Sequence, residues 1–283
     1  MNLLKLGFHI SISGSIDRAA DRAAELGCNT FQVFTRNPRQ WYSTKLDPET
    51  AQAFSGKVEN YGIEPVFAHM PYLPNLASPR DEVYTKSVKT LTSELERCKQ
   101  LQIPYIVTHL GSHLGTGMQT GFTRLINGIN QALKATEEGV TLLLENTAGT
   151  RNSMGSTFEN IQHIIERLAY PERVGICFDT CHAFAAGYDL RTEEKVEATV
   201  KQLDEIIGFE NLKLVHLNDS KGDLNAHIDR HEHIGMGKIG EDGFRNILES
   251  RLGTLPLIME TPIDSRRSDV GNMEKVKELA VGL

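Results

Sequence analysis

Several absences bound this 283-residue chain before any motif is read. Its four cysteines, Cys28, Cys98, Cys177 and Cys181, show no Cys-x-x-Cys spacing, which predicts free thiols in a reducing cytoplasm. No apolar run approaches the ~18 residues that a membrane span requires. The start, Met1-Asn2-Leu3-Leu4-Lys5, lacks the long apolar stretch of a signal peptide. A cytoplasmic protein without membrane contact is the expectation. There is no low-complexity tract, no linker and no shift in composition, so one domain over 1–283 is expected. Neither a Gly-x-Gly-x-x-Gly loop nor a Gly-Lys-Ser/Thr phosphate loop occurs, which removes the usual support for a doubly wound open sheet.

What is present is an alternation. Short apolar runs predict strands over 5–10, 30–36, 65–70, 105–110, 141–146, 174–180, 212–218 and 255–261. Amphipathic stretches between them predict helices over 15–26, 49–61, 81–101, 122–137, 158–168, 193–207, 242–252 and 273–279. The runs are nearly continuous in apolar residues, as parallel strands covered on both faces require. Eight strands and eight helices in strict alternation predict a single (β/α)8 TIM barrel, with its active site at the C-terminal ends of the strands.

The stretch from Val174 to Tyr188 organises the rest. Its apolar run ends in Asp179, with His182 three residues on. Alone, Asp-x-x-His fits a helix N-cap followed by a surface histidine as well as it fits a metal site. The layout repeats, however. The third, fourth and fifth strands end in His69, His109 and Glu145, and the seventh and eighth in His216 and Glu260. Two positions before each polar end, on the same face, stand Phe67, Val107, Leu143, Cys177, Leu214 and Ile258. An apolar floor under a mouth of ligand-type residues is the geometry of a site. In the loop after the seventh strand, Asp229 and His231 point the same way in extended chain, and His182 can join them. Nine candidates are too many for one tetrahedral ion and suit two or three ions sharing carboxylates. Imidazole-rich ligands favour zinc, with manganese or iron open, whereas magnesium prefers oxygen. His9 is assigned a hydrogen-bonding role behind the ligands, His163 a surface position, and His113, His227 and His233 loop positions without metal. Cys177 and Cys181 are assigned to core packing.

The run Phe178-Asp-Thr-Cys-His-Ala-Phe-Ala-Ala-Gly-Tyr-Asp189, with His216-Leu-Asn-Asp-Ser-Lys221, Asp229-Arg-His-Glu-His-Ile-Gly235 and Glu260-Thr-Pro262, resembles the endonuclease IV family of apurinic/apyrimidinic endonucleases. Glu145-Asn-Thr-Ala-Gly149 and Tyr72-Leu-Pro-Asn-Leu-Ala-Ser78 agree with it, and the match runs from Gly7 to Glu260. The resemblance implies a trinuclear zinc enzyme that cleaves DNA on the 5′ side of an abasic site, leaving a 3′-hydroxyl and a 5′-deoxyribose phosphate. It implies one zinc on His69, His109 and Glu145, a second on Glu145, Asp179, His216 and Glu260, and a third on His182, Asp229 and His231. The chain departs from the family at Gly14-Ser15, where Gly-Gly is common, and at Thr150–Gly155, where a Gln-Gly is common.

Glu145 and Glu260 are the candidates to orient the attacking water or take its proton. The net charge of −7 first argues against nucleic acid, but three divalent ions would cancel most of it. A basic belt at the mouth is read from Arg36, Arg39, Lys45, Arg151, Lys221, Arg230 and Lys238. DNA contacts are assigned to Asn37, Arg39, Tyr72, Leu73, Arg151, Lys221 and Arg230, with Tyr72-Leu73 as a wedge that enters the base stack. The expected partner is duplex DNA with an abasic site, bound by a monomer. The competing readings are a sugar isomerase on the same barrel, with about two metals in a small closed pocket, and a non-catalytic binder of damaged DNA.

Overall fold

The computed structural model describes residues 4–282. Its barrel strands are β1 (Leu6–Ile10), β2 (Phe31–Phe34), β3 (Val66–His69), β4 (Tyr105–His109), β5 (Thr141–Glu145), β6 (Val174–Asp179) and β7 (Leu212–His216). A two-stranded ribbon of β8 (Asp219–Ser220) and β9 (His231–Glu232) follows, and β10 (Leu257–Met259) completes the barrel. Each barrel strand pairs in parallel with its predecessor, and β10 closes the ring onto β1 through Leu6 and Leu257. The expected (β/α)8 barrel is therefore what the chain forms. Closure demands a tight approach between β1 and β2. At Gly7 a Cβ would lie 1.7 Å from the Thr30 carbonyl oxygen, so only glycine fits there.

Nine helices surround the ring among the described residues: α1 (Arg18–Glu25), α2 (Pro48–Tyr61), α3 (Asp81–Gln100), α4 (Met118–Ala135), α5 (Phe158–Ile165), α6 (Thr180–Ala186), α7 (Glu193–Ile207), α8 (Gly240–Glu249) and α9 (Asp269–Leu279). Local chemistry explains their starts. Asp47, Thr157, Thr192 and Ser268 each accept a backbone N–H three residues on, satisfying a donor that the helix leaves open. The Ser268 cap starts α9 four residues before the expected 273, and α4 likewise begins four residues early, at Met118. Helix α6 was not among the eight expected helices and entered only as the alternative N-cap reading of Asp179 and His182. Asp179 caps it by accepting the His182 N–H at 2.7 Å, so the N-cap reading of Asp-x-x-His is correct, but His182 is buried and not at the surface.

The core has two layers. Outside the strands, helix faces pack Leu91, Leu95, Ile129, Ile161 and Phe244 against the sheet. Inside the barrel, Phe67, Val107, Leu143, Cys177, Leu214 and Ile258 form a separate cluster with no exposed surface, the floor expected from the period of two. At ~1.5–3 kcal/mol per large apolar side chain buried, this plug stiffens the base on which the polar ends stand.

Candidate metal centre

Strand register sets the polar ends at one level. His109 lies opposite Glu145 across β4–β5, and Asp179 lies opposite His216 across β6–β7. Asp229 and His231 arrive on the ribbon of β8 and β9. That ribbon is pinned by the buried Asp219 carboxylate, which accepts the N–H groups of Ser220, Gly237 and Ile239 at 2.8, 2.8 and 3.0 Å. Besides two sets that include a thiol, Cys177 with Glu145 and His216 and Cys181 with Asp179 and His231, three groupings of imidazoles and carboxylates alone result, each with ligand atoms within 4.8 Å of one another: His69, His109 and Glu145; Glu145, Asp179, His216 and Glu260; His182, Asp229 and His231. Glu145 belongs to two of them. Its Oε2 lies 3.0 Å from His109 Nε2 and 3.4 Å from His69 Nε2, whereas its Oε1 lies 2.9 Å from His216 Nδ1.

These groups hold one another's charge. Burial alone would raise the Glu145 carboxyl, but His109 and His216 more than offset it and hold it well below the usual range. Glu260 is held low against burial, chiefly by His216. Burial would lower His182 and His216, yet neighbours including Asp179 and Asp229 for the one, and Cys177, Glu260 and Glu145 for the other, raise both well above the ordinary imidazole value. An anionic pit that draws protons onto its imidazoles is one in which divalent cations can replace those protons.

The ring nitrogens fit that role. His69 Nδ1 donates to the Met70 carbonyl at 2.7 Å, His182 Nδ1 to the Asn146 carbonyl at 2.9 Å and His231 Nδ1 to the Glu260 carbonyl at 3.2 Å. A carbonyl only accepts, so Nδ1 of each ring carries a hydrogen, and Nε2 faces carboxylates as the nitrogen at which a metal ion can replace a proton, the pattern of metal-ligating histidine. The buried His231 Nε2 has no hydrogen-bond partner among the described residues and stands 3.6 Å from Asp229 and 3.7 Å from Asp179. The residues therefore fit metal ions, and donors of this kind suit zinc.

Above the groupings opens a cavity of about 390 Å³, lined by His9, Phe34, Tyr72 and Thr261 together with His69, His109, His182, Asp229, His231 and Glu260. A larger groove of about 890 Å³ lies at the opposite end of the barrel, around α2 and the start of β3, and holds none of these residues. Tyr72 and Leu73 project at the rim, 62% and 38% exposed, and the Tyr72 ring packs edge-on against Phe34. Asn37, Arg39, Arg151, Lys221 and Arg230 are exposed on the surrounding loops.

A family model described as the xylose isomerase-like TIM barrel matches residues 20–280. The chain is 58% identical to a probable endonuclease 4 of Methanoculleus marisnigri, over 98% of this chain and 99% of that one. It is 50% identical to a probable endonuclease 4 of Nitrosopumilus maritimus, over 98% and 100%. The crystal structure of endonuclease IV from Thermus thermophilus superposes with a TM-score of 0.87 at 35% identity, covering 97% of this chain and 98% of that one. The chain belongs to the endonuclease IV family. A D-tagatose 3-epimerase-like protein superposes with a TM-score of 0.74 at 21% identity, which shares the fold alone.

Within this endonuclease IV family member, the expectations for Arg36, Lys238 and His163 need correction, whereas those for Cys177, His233 and His9 agree with the structure. Arg36 does not join the basic belt. It is 8% exposed, with Nε 2.8 Å from the Glu94 carboxylate of α3. Lys238 lies 3.3 Å from Asp223, so its charge is partly spent within the loop. His163 is half-buried against the Phe122 ring. Cys177 is core, and burial pushes its thiol up to about 12. His233 is buried and bonded to Asp264 and Asn272, away from the three groupings. His9 stands behind Glu260, its Nδ1 3.3 Å from Oε1. Two residues escaped the sequence reading. Asn218 donates to Asp179 Oδ2 at 2.7 Å and accepts the Glu260 N–H at 2.8 Å, and Gln32 lies between His9, His216 and Glu260. The available signals were a second polar residue just beyond a strand end and one polar residue inside an apolar strand.

Proposed function

We propose that this protein is a metal-dependent DNA repair phosphodiesterase that hydrolyses the backbone 5′ to abasic sites in duplex DNA. The products are a 3′-hydroxyl and a 5′-deoxyribose phosphate. The whole chain acts as one catalytic domain, monomeric and cytoplasmic. No helix among the described residues is long and apolar enough to cross a membrane. Three ions per chain, mainly zinc, with manganese or iron able to replace some, would be held by the nine residues in the groupings assigned above. The observation that carries the reading is the division of labour in Glu145, whose two oxygens face two different groupings. A shared carboxylate is the arrangement of multinuclear phosphoesterase centres.

Bound zinc would lower the pKa of water toward ~7 and neutralise charge developing on phosphate. The remaining work belongs to the chain. A water attacks phosphorus in line, the P–O3′ bond breaks, and the attacking water's proton is lost while the departing 3′-oxygen gains one. Glu260, which lines the cavity, and Glu145, buried behind the lining histidine His109, are the carboxylates that can orient that water or receive its proton, since both are held ionised. The exposed Arg39, Arg151, Lys221 and Arg230 supply phosphate contacts, with Asn37 beside them. Tyr72 and Leu73 form the wedge that helps keep the abasic sugar out of the stack. A sugar isomerase would have no use for the third grouping or for an exposed wedge.

Single-turnover cleavage of a duplex with one abasic site, run beside elemental analysis, tests the reading. Three transition-metal ions per chain and a cut 5′ to the lesion are expected. Glu145→Gln should lose cleavage by more than the ~10²–10⁴ of a simple general base while keeping part of its lesion affinity. A stoichiometry of one ion or fewer, or Glu145→Gln cleavage within about tenfold of the parent, would overturn the assignment.

A further inference from the structure

We propose that Gln32 is a positioning residue of the metal centre: its buried carboxamide decides which ring nitrogen His216 and His9 present. This rests on the metal reading above and concerns a residue outside the nine.

Gln32 is the one polar residue of β2, fully buried and directly opposite His9 in the β1–β2 register. A primary amide there must find partners, and all of these are side chains. Its Nε2 lies 2.8 Å from Glu260 Oε1 and 2.9 Å from His9 Nδ1, and its Oε1 lies 2.9 Å from His216 Nε2.

Donor–acceptor chemistry then leaves one assignment. An ionised carboxylate only accepts, so the amide end at Glu260 must be the NH₂. The oxygen therefore faces His216, and an amide oxygen also only accepts, so His216 carries its hydrogen on Nε2. Its Nδ1 is thereby the nitrogen turned inward, 2.9 Å from Glu145 Oε1 and 3.5 Å from Glu260 Oε2, the position from which a metal ion can displace a proton. The second amide hydrogen points at His9 Nδ1. That contact at 2.9 Å outweighs the 3.3 Å approach of Glu260, because two donors would not meet at the shorter distance. His9 therefore carries its hydrogen on Nε2. This nitrogen is buried without a partner among the described residues, on a ring that lines the cavity, and it offers a neutral donor to a phosphate oxygen.

The need for a side chain is specific to His216. His69, His182 and His231 turn Nε2 to the centre and tie Nδ1 to backbone carbonyls. His216 is turned the other way, and no backbone carbonyl holds its Nε2. The amide reaching across from β2 does so instead.

The test uses protein labelled with ¹⁵N at histidine, loaded with zinc, and long-range ¹H–¹⁵N spectra that report which nitrogen is protonated. Zinc retention against a competing chelator and melting of the metal-free protein are measured alongside. Gln32→Met should release the His216 tautomer, weaken zinc retention about 10–100-fold and leave the metal-free melt close to the parent's. Gln32→Glu retains an acceptor for His216 but loses the donor to His9 and the one to Glu260, and the new carboxylate beside Glu260 calls for a proton between them, which His9 can supply. The His216 pattern should survive while His9 shifts to a proton on Nδ1. That split also decides the matter if Gln32→Met does not fold. Parental tautomers at both rings in Gln32→Glu, or parental zinc retention in Gln32→Met, would overturn the proposal. A parent that binds no zinc would instead overturn the metal reading itself.

Discussion

Glu94 lies outside the metal groupings, on α3, yet it anchors the loop that carries Asn37 and Arg39. Its carboxylate is fully buried, 2.8 Å from Arg36 Nε, and accepts the Thr35 hydroxyl at 2.6 Å. Arg97 donates to the same hydroxyl at 2.9 Å and to the Thr44 carbonyl at 3.2 Å, and Arg36 reaches the Trp41 carbonyl at 3.3 Å. One carboxylate thus serves two guanidinium groups that are each less than a tenth exposed, and together they stitch residues 35–44 to the barrel. Burial pushes the Glu94 carboxyl up despite Thr35 and Arg36, and pushes Arg97 down despite Glu94, so desolvation already strains the group. Glu94→Gln keeps the shape and leaves both cations uncompensated. Breaking a buried pair in this way costs about 3–5 kcal/mol, and the existing strain favours the lower end. At ~2.1 cal/mol/K of unfolding entropy per residue, for a chain of this size that is a fall in Tm of roughly 5–8 °C. Because Tyr72 donates its backbone N–H to Pro38 in the same loop, affinity for abasic duplex should fall with it while metal content stays at the parental value. Calorimetric melting and a binding titration on the same preparation read both effects. The double variant Arg36→Met with Glu94→Leu removes one of the two uncompensated cations and should recover part of the lost stability, with Arg97 still lacking its carboxylate. A Glu94→Gln melt within about 2 °C of the parent, with unchanged affinity, would refute the anchoring argument.

Three further outcomes are expected. Tyr72→Ala should weaken lesion binding about tenfold, from the ~1–3 kcal/mol of a stacking contact, with metal content unchanged. An unchanged titration would make the rim residue merely structural. Hydrogen bonds from Arg266, then His233, hold the exposed Asp264 well below its ordinary value. Its stabilisation of the loop after β10 is therefore fully present above about pH 4 and lost as pH falls below it. Hydrogen exchange at 264–268 should accelerate in that acid window in the parent and show no such step in Asp264→Asn. Chelation should lower Tm and added zinc should restore it, by about 2.7 kcal/mol for each site at a hundredfold excess over its Kd. A melt indifferent to chelator would show that the groupings are stable without ions.

The strand ends were legible because two periodicities coincide there. An apolar residue at i fixes the inward face, and a ligand-type residue at i+2 shares it, so Phe67 predicts where His69 points and Ile258 does the same for Glu260. The helix α6 was not legible, since all but the last of its seven residues are buried and it offers no polar face to set a period of 3.6. Arg36 was misread because a sequence displays a charge but not its partner, and Glu94 lies 58 positions away. Gln32 was hidden for the same reason. Its partners stand on three other strands or just beyond them, and only barrel closure brings them to one amide.

That closure has a consequence for synthesis. The nine centre residues run from His69 to Glu260, and Glu260 follows β10, the strand that joins β7 to β1. A chain emerging from a ribosome carries His69, His109 and Glu145 long before it can complete the ring. Parallel pairing between strands this distant in sequence is also slow. An unfinished or truncated chain would hold at most its first three ligand residues, and the shared carboxylate would face a half-built pocket with Glu260 missing. On the proposed reading, a cutting centre completed only by the last strand would act as a proof of length, leaving incomplete copies unable to nick DNA.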